Sequence, residues 1–278
     1  MKHPRTIPFE RRTMLATTIK LSCLAALAAC SLGSAAQSAS PAARELAPTG
    51  TLRAAINFGN PILAVRNAAD GTPQGVSVDL ARELARRLEV PLELVTYNAA
   101  GKVVEGLRNK EWDVAFVAID PARAVDMSFT AAYVVIEGAY LVKQDSPIRS
   151  NAEVDRPGVR VVVGKGSAYD LYLARELKNA ELVRAPTSPA VSDMMVAQGL
   201  EVAAGVKQQL EADAKRILGL RLLDGRFMVI NQAMATPIGR PVGSRYLGEF
   251  VEELKASGFV AQALARHGIA GASIAPPK

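Results

Sequence analysis

Cysteine is almost absent from this chain: Cys23 and Cys30 are the only two, and both precede residue 40. The rest of the chain can form neither a disulfide nor a thiolate metal site. Histidine is just as scarce, with only His3 and His267. No nucleophile–histidine pair and no His-Glu-x-x-His run can be assembled from them. Aromatic residues make up 5% of the chain, with a single tryptophan, and no basic–aromatic stripe of the kind that grips nucleic acid is present. The net charge of +6 does not change that reading, because five cations and one anion fall within residues 1–40 and leave only +2 beyond them.

What those first residues contain is a targeting pattern. Lys2, Arg5, Arg11, Arg12 and Lys20 are followed by a small-residue apolar run over 21–36, with cleavage options at Ser34-Ala35-Ala36 and within 37–40. This reads as a secretory signal peptide, too short and too weakly flanked to be a transmembrane helix. Arg11-Arg12-Thr13-Met14-Leu15 is similar to a twin-arginine signal, whereas a start at Met14 would leave a compact ordinary leader. Leu27-Ala28-Ala29-Cys30 resembles a lipobox, in which Cys30 would carry lipid. Residues 37–50, rich in Ala, Ser and Pro, read as a linker. About 240 residues then remain, ample for a core without disulfides.

Strand-like and helix-like segments alternate beyond the linker. Strands are expected over 51–56, 91–97 and 112–119, with a helix capped by Ser77 running to residue 88 and another over 102–109. Leu80, Ala81, Leu84, Ala85 and Leu88 fall on one face of the first helix. A long extended run, 133–142, follows, and the pattern then restarts with strands at 159–163, 181–184 and 202–204 and helices at 170–178, 188–198 and 208–217. A second extended run at 227–234 precedes two amphipathic helices, 244–257 and 260–266, and a loose tail over 271–278. The alternation implies α/β units with mainly parallel sheets. Two such units joined by two extended runs suggest two lobes on a double-stranded hinge.

The most informative segment is Ala118-Ile119-Asp120-Pro121-Ala122-Arg123, followed by Met127-Ser128-Phe129-Thr130-Ala131-Ala132-Tyr133. An apolar strand ends at a preferred N-cap and a preferred first helical residue. A helix start offers free N–H groups, and Arg123 adds a planar cation able to grip a carboxylate with two hydrogen bonds. Taken locally, the same residues also fit a plain helix cap with a surface arginine. Gly164-Lys165-Gly166-Ser167 ends another strand and opens another helix. It is neither a P-loop nor a dinucleotide fingerprint, since Tyr169 stands where a third glycine is required. It is therefore either a tight structural turn or a binding loop.

These segments, in this order, resemble the bacterial extracellular solute-binding proteins of family 3, the polar amino-acid type of ABC importer receptor. The resemblance spans roughly residues 50–267. It implies an α/β, periplasmic-binding-protein-like fold of type II, with two α/β lobes joined by a two-segment hinge and a ligand cleft between them. Lobe one would comprise 41–138 and 232–270, and lobe two 139–231. By the same resemblance Arg123 holds the ligand carboxylate, helped by Asp120 at the helix cap and by Gly166 and Ser167 from lobe two. Asn57, Phe58 and Asn60, after the first strand, would contact the ligand side chain. The family phrase that places an aspartate on the ligand ammonium reads Glu201-Val202-Ala203-Ala204-Gly205-Val206-Lys207 here, with Val206 at the aspartate's place. Lys207 would then reach a second anionic group or simply cap the strand end. Glu137 or Asp120 could replace the lost carboxylate, and Gln232 could add an amide.

The resemblance implies a monomeric periplasmic receptor that takes a small-molecule ligand, needs no cofactor or metal, and docks on an ABC permease in the inner membrane. Two other readings share the scaffold: an enzyme similar to cyclohexadienyl dehydratase, with Asp120 or Glu137 as acid–base, and a ligand sensor of a signalling system.

Overall fold

The computed structural model describes residues 39–278. The leader, with its cleavage options, Cys30 and the two alternative starts, lies outside the described residues. Helix α1 (Pro41–Leu46) comes first, and Ser40 caps it by accepting from the Ala43 N–H at 3.1 Å. The stretch expected to be linker is thus partly helical. Its Ser-Pro pair is a cap followed by a favoured first helical residue, and Leu46 is fully buried.

Strand β1 (Leu52–Asn57), the hairpin β2 (Val65–Arg66) and β3 (Pro73–Gln74), α2 (Val76–Leu88), β4 (Leu92–Tyr97), α3 (Ala100–Arg108), β5 (Val114–Ala118) and the single turn α4 (Pro121–Ala124) lead into the long strand β6 (Met127–Lys143). The apolar face expected of α2 is buried in the core, whereas Ser77 is not its cap. Gly75 holds that position, and the Ser77 hydroxyl instead lies 3.4 Å from Tyr133 Oη. Strand β5 is buried at every residue because both its faces are packed, Val114, Phe116 and Ala118 in one apolar cluster and Ala115 and Val117 in another.

The second run comprises β7 (Arg160–Gly164), α5 (Ala168–Glu176), β8 (Glu181–Ala185), α6 (Val191–Ala197), β9 (Val202–Val206), α7 (Lys207–Arg216) and β10 (Leu220–Leu222). Strand β11 (Met228–Pro237), α8 (Pro241–Ala256), α9 (Phe259–Arg266) and β12 (Ser273–Ile274) complete the chain.

One sheet carries both lobes, in the order β4-β1-β5-β11-β6-β9-β7-β8. Strands within each outer half are parallel, and the two long central strands run antiparallel to their neighbours. The sheet is therefore mixed, with α/β units on either side of a central antiparallel pair. Strand β6 pairs with β11 as far as Gly138 and with β9 from Gly138 onward, so Gly138 sits where one strand passes from the first unit to the second. Helices α8 and α9 return to the first lobe. Arg87 of α2 meets Glu253 of α8 at 2.7 Å, and Asp79 of α2 accepts from Arg266 at the end of α9 at 2.7 Å. The tail is not loose: β12 pairs with β6, Ala275 is buried, and its N–H donates to Tyr133 O. No helix among the described residues is long and apolar enough to cross a membrane.

Candidate functional site

The carboxyl ends of β1 and β5 in the first lobe face the carboxyl ends of β7 and β9 in the second, and a small cavity lies between them. At such strand ends the chain turns into helix starts, leaving N–H groups available to a ligand. Asn57 and Asn60 come from the end of β1 and its loop, and Val117, Ala118 and Arg123 from β5 and α4. Ser167, Tyr169 and Ser188 face them from the second lobe, with Val206 at the end of β9. Ile230 and Gln232 of β11 close the floor. The cavity has a volume of about 30 Å³, where a single water needs roughly 10–15 Å³.

Arg123 dominates this cavity. It is only 3% exposed, so it is not the surface arginine that the local sequence also allowed. Its Nη1 donates to Ala118 O at 2.8 Å and its Nη2 crosses to the other lobe, donating to Gly166 O at 2.9 Å. Nε is buried with no acceptor. Burial pushes the guanidinium pKa down to about 10, an effect only partly opposed by Asp120. At neutral pH the group is still a cation, held in low dielectric with a donor to spare.

The helix after Asp120 is a single turn, so its dipole contributes little; the longer α5 is the helix start that faces the cavity. Ser167 caps it by accepting from the Asp170 N–H at 3.0 Å, and Ser167 O accepts from Leu171 N–H. The N–H groups of Ala168 and Tyr169, at its first two positions, are thereby left without intrahelical acceptors. Gly166, at φ +70°, makes the turn into this helix and lies against Gly101 of α3. Two more polar atoms are buried without partners, Asn60 Oδ1 and Tyr169 Oη. Burial pushes the Tyr169 phenol up to about 12. The nearby Ser188 and Ser167 hydroxyls moderate that shift, although neither is in hydrogen-bonding geometry with Oη.

Of the residues singled out in the sequence, Asn57, Asn60, Arg123, Ser167 and Gln232 line the cavity together. The other five are elsewhere. Phe58 lies beneath the Arg66 guanidinium, 4.3 Å from its ring centroid. Gly166 contributes its carbonyl to Arg123 but does not line the cavity. Asp120 accepts from the Ala122 N–H at 2.8 Å and from Arg175 at 2.9 Å. Glu137 is paired with Arg226 at 2.7 Å and with Lys207 at 3.4 Å, which occupies both side chains. Arg226 and Lys207 hold the Glu137 carboxyl below its usual range. Neither Asp120 nor Glu137 is therefore available to replace the carboxylate missing at Val206.

Tyr169, Ser188 and Ile230 also line the cavity, and none of them is a site residue expected from the sequence. Ser188 opens a short 3₁₀ turn, Ser188–Ala190, and the only trace of it in the sequence was a Thr-Ser-Pro helix start. Outside the cavity, a groove of about 490 Å³ shares Arg123 with it and is lined by Lys102, Arg108, Lys165 and Arg184. Lys102 pairs with Glu105 and Arg184 with Asp170, whereas Arg108 and Lys165 have no ion-pair partner among the described residues. No cluster of metal-ligating side chains is present among the described residues.

The fold is similar to several solved structures. A binding component of an ABC transporter from Wolinella succinogenes, complexed with lysine, is 23% identical with a TM-score of 0.67, over 78% of this chain and 95% of that one. The solute receptor for L-cysteine of Neisseria gonorrhoeae is 21% identical with a TM-score of 0.71, over 82% and 92%. An ancestral amino-acid-binding protein described as a precursor of cyclohexadienyl dehydratase is 19% identical with a TM-score of 0.68, over 80% and 96%. No curated protein matches the chain. Residues 52–268, from β1 to just beyond α9, match the model of one family, and the chain belongs to the bacterial extracellular solute-binding proteins, family 3.

Proposed function

We propose that this protein is a periplasmic receptor that captures a small carboxylate-bearing solute between its lobes and presents it, as a monomer, to an ABC permease in the inner membrane. The observation that carries this reading is Arg123, a buried cation whose Nε lacks an acceptor inside an inter-lobe cavity. A desolvated cation is unfavourable unless paired, and a ligand carboxylate supplies the missing acceptor. The N–H groups at the start of α5 complete the anion grip from the second lobe. A binding component complexed with lysine and a solute receptor for L-cysteine share the fold, and they support a solute with a carboxylate.

The hinge in this reading is the pair β6 and β11, with lobe boundaries near 138/139 and 231/232. Gly138 pairs with Met228 on one side and Val206 on the other, which favours a boundary there. Closure brings Arg123 to Gly166 and Asp120 to Arg175, and excluding water strengthens each charged contact. A thermal-shift screen of amino acids, amines, keto acids and dicarboxylates tests the reading. A solute at a hundred times its Kd adds about 2.7 kcal/mol of stability. The reading requires a carboxylate that shifts the wild type and does not shift Arg123→Ala. If no carboxylate shifts the wild type, the receptor reading is wrong.

A further inference from the structure

The charge inventory of the inter-lobe cavity is one-sided. Among the described residues Arg123 is the only ionised side chain that lines it. Every carboxylate nearby is engaged elsewhere. Asp120 is held by Arg175 and by a backbone N–H, and Glu137 by Arg226 and Lys207. Asp170 accepts from the Gly166 N–H and from Arg184 and faces the outer groove. A zwitterion held by its carboxylate on Arg123 would leave its ammonium as a buried charge with no counter-charge, which is strongly unfavourable in low dielectric. A solute with one negative charge and no positive one makes the closed cavity neutral.

The remaining lining describes the rest of the solute. Asn60 Oδ1 is a buried acceptor without a donor, so it calls for an O–H or N–H group from the ligand. Val117, Val206 and Ile230 supply an apolar wall. Resting on the receptor reading above, we infer that the solute is a small hydroxy acid, glycolate and lactate being the simplest, with one carboxylate, a neutral hydroxyl and no ammonium. Its carboxylate meets Arg123 and the first N–H groups of α5, and its hydroxyl donates to Asn60 Oδ1. The unpaired Arg108 and Lys165 of the outer groove favour the approach of such an anion.

Matched pairs differing only in hydroxyl against ammonium test this by calorimetry on the purified protein: glycolate with glycine, and L-lactate with L-alanine. The hydroxy acid of at least one pair is expected to bind at least ~100-fold more tightly than its amino acid. Val206→Asp, which adds an anion to the cavity wall, is expected to weaken the hydroxy acid and bring in the amino acid, while Val206→Asn does not. Val206 also sits at the N-cap of α7 with no side-chain cap bond, a position where Asp is favourable, so the variant should fold. The wild-type comparison stands even if it does not. Equal or tighter binding of the amino acids, or no binding of either hydroxy acid, overturns the hydroxy-acid inference. The receptor reading would survive both results as long as some other carboxylate binds in an Arg123-dependent way.

Discussion

Asp120 and Arg175 join the two lobes directly: Arg175 Nη2, on α5, donates to Asp120 Oδ2 at 2.9 Å. The same Asp120 caps α4 through Oδ1, so a single buried carboxylate connects the strand end that carries Arg123 to the helix that faces it. The two functions separate by mutation. Arg175→Ala removes the half-exposed partner of a buried carboxylate that keeps its bond from the Ala122 N–H, and should lower unfolding free energy by about 1 kcal/mol. Asp120→Ala removes the cap of α4 together with the pair, for a loss of roughly 1–3 kcal/mol in all. Urea denaturation of both single variants and the double variant checks this. Because the pair bridges the lobes, Arg175→Ala should weaken solute binding several-fold through faster dissociation.

Arg123 should be intolerant of conservative change. Lysine keeps the charge but cannot donate simultaneously to Ala118 O, Gly166 O and a ligand through a rigid fork. Arg123→Lys is therefore expected to lose roughly 10- to 100-fold in solute affinity and Arg123→Ala to lose detectable binding, both by calorimetry. Retention of near wild-type affinity in Arg123→Ala would remove this residue from the site.

The first lobe depends on a fully buried acid outside the cleft. Asp113, just before β5, accepts two bonds from the Arg53 guanidinium of β1, at 2.9 and 3.0 Å, and also meets Arg240, at the cap of α8, at 3.2 Å. Asp113 in turn raises the Arg53 pKa. Asp113→Ala breaks a buried network that ties two strands to the returning helix and should lower stability by roughly 3 kcal/mol. The solute affinity of the folded fraction should remain that of the wild type.

Much of this architecture was legible in the sequence because it follows from local chemistry. The one-faced apolar pattern of α2, the uninterrupted burial of β5 and the Asp-Pro start of α4 each express a rule that operates within a few residues. Tertiary competition accounts for the failures. Ser77 has the chemistry of a cap, but Gly75 allows the chain to turn earlier and Ser77 is drawn to Tyr133 instead. Residues 41–46 have a linker's composition, yet Leu46 finds a site against α8. The cavity was only half legible for the same reason. Arg123 and Ser167 announce themselves at strand ends, whereas Phe58 and Glu137 look equally suitable until Arg66 and Arg226 claim them. Those competing partners are distant in sequence and carry no local signal.

Acid should weaken the first lobe through Glu83. Its contacts with Arg86 first and Arg87 second, opposed by burial, lower its pKa from 4.5 to about 2. A depressed carboxylate contributes stability that is fully present above its unfolded pKa and is lost as pH falls through its folded one. The window is therefore between about 4.5 and 2. Arg86 is well exposed, so screening limits the effect to about 1 kcal/mol or less. Thermal melts of Glu83→Gln and the wild type should converge toward pH 2 and differ above pH 5, with a smaller difference at high salt.

In the proposed receptor, Gly101 separates folding from closure. It lies in α3, with its backbone against Gly166 of the other lobe, and a Cβ built on it comes within 3.3 Å of both Gly166 Cα and Lys165 O. Replacing a helical glycine by alanine adds about 0.5–1 kcal/mol of stability, and here the φ allows it. The new methyl group, however, presses on the opposite lobe in the closed arrangement. Lobes joined by two strands can relieve that pressure by parting, and the cavity contacts across the cleft are then lost. Gly101→Ala should therefore raise the melting temperature of the ligand-free protein while lowering solute affinity several-fold, changes of opposite sign that a packing defect in α3 would not produce. Gly166→Ala is no substitute for it, because Gly166 already has φ +70° and its Cβ would stand 2.7 Å from Gly101 Cα, so it should lose both stability and affinity. Melting curves with and without solute for the two variants distinguish a lobe contact that controls closure from a turn that needs glycine for its backbone alone.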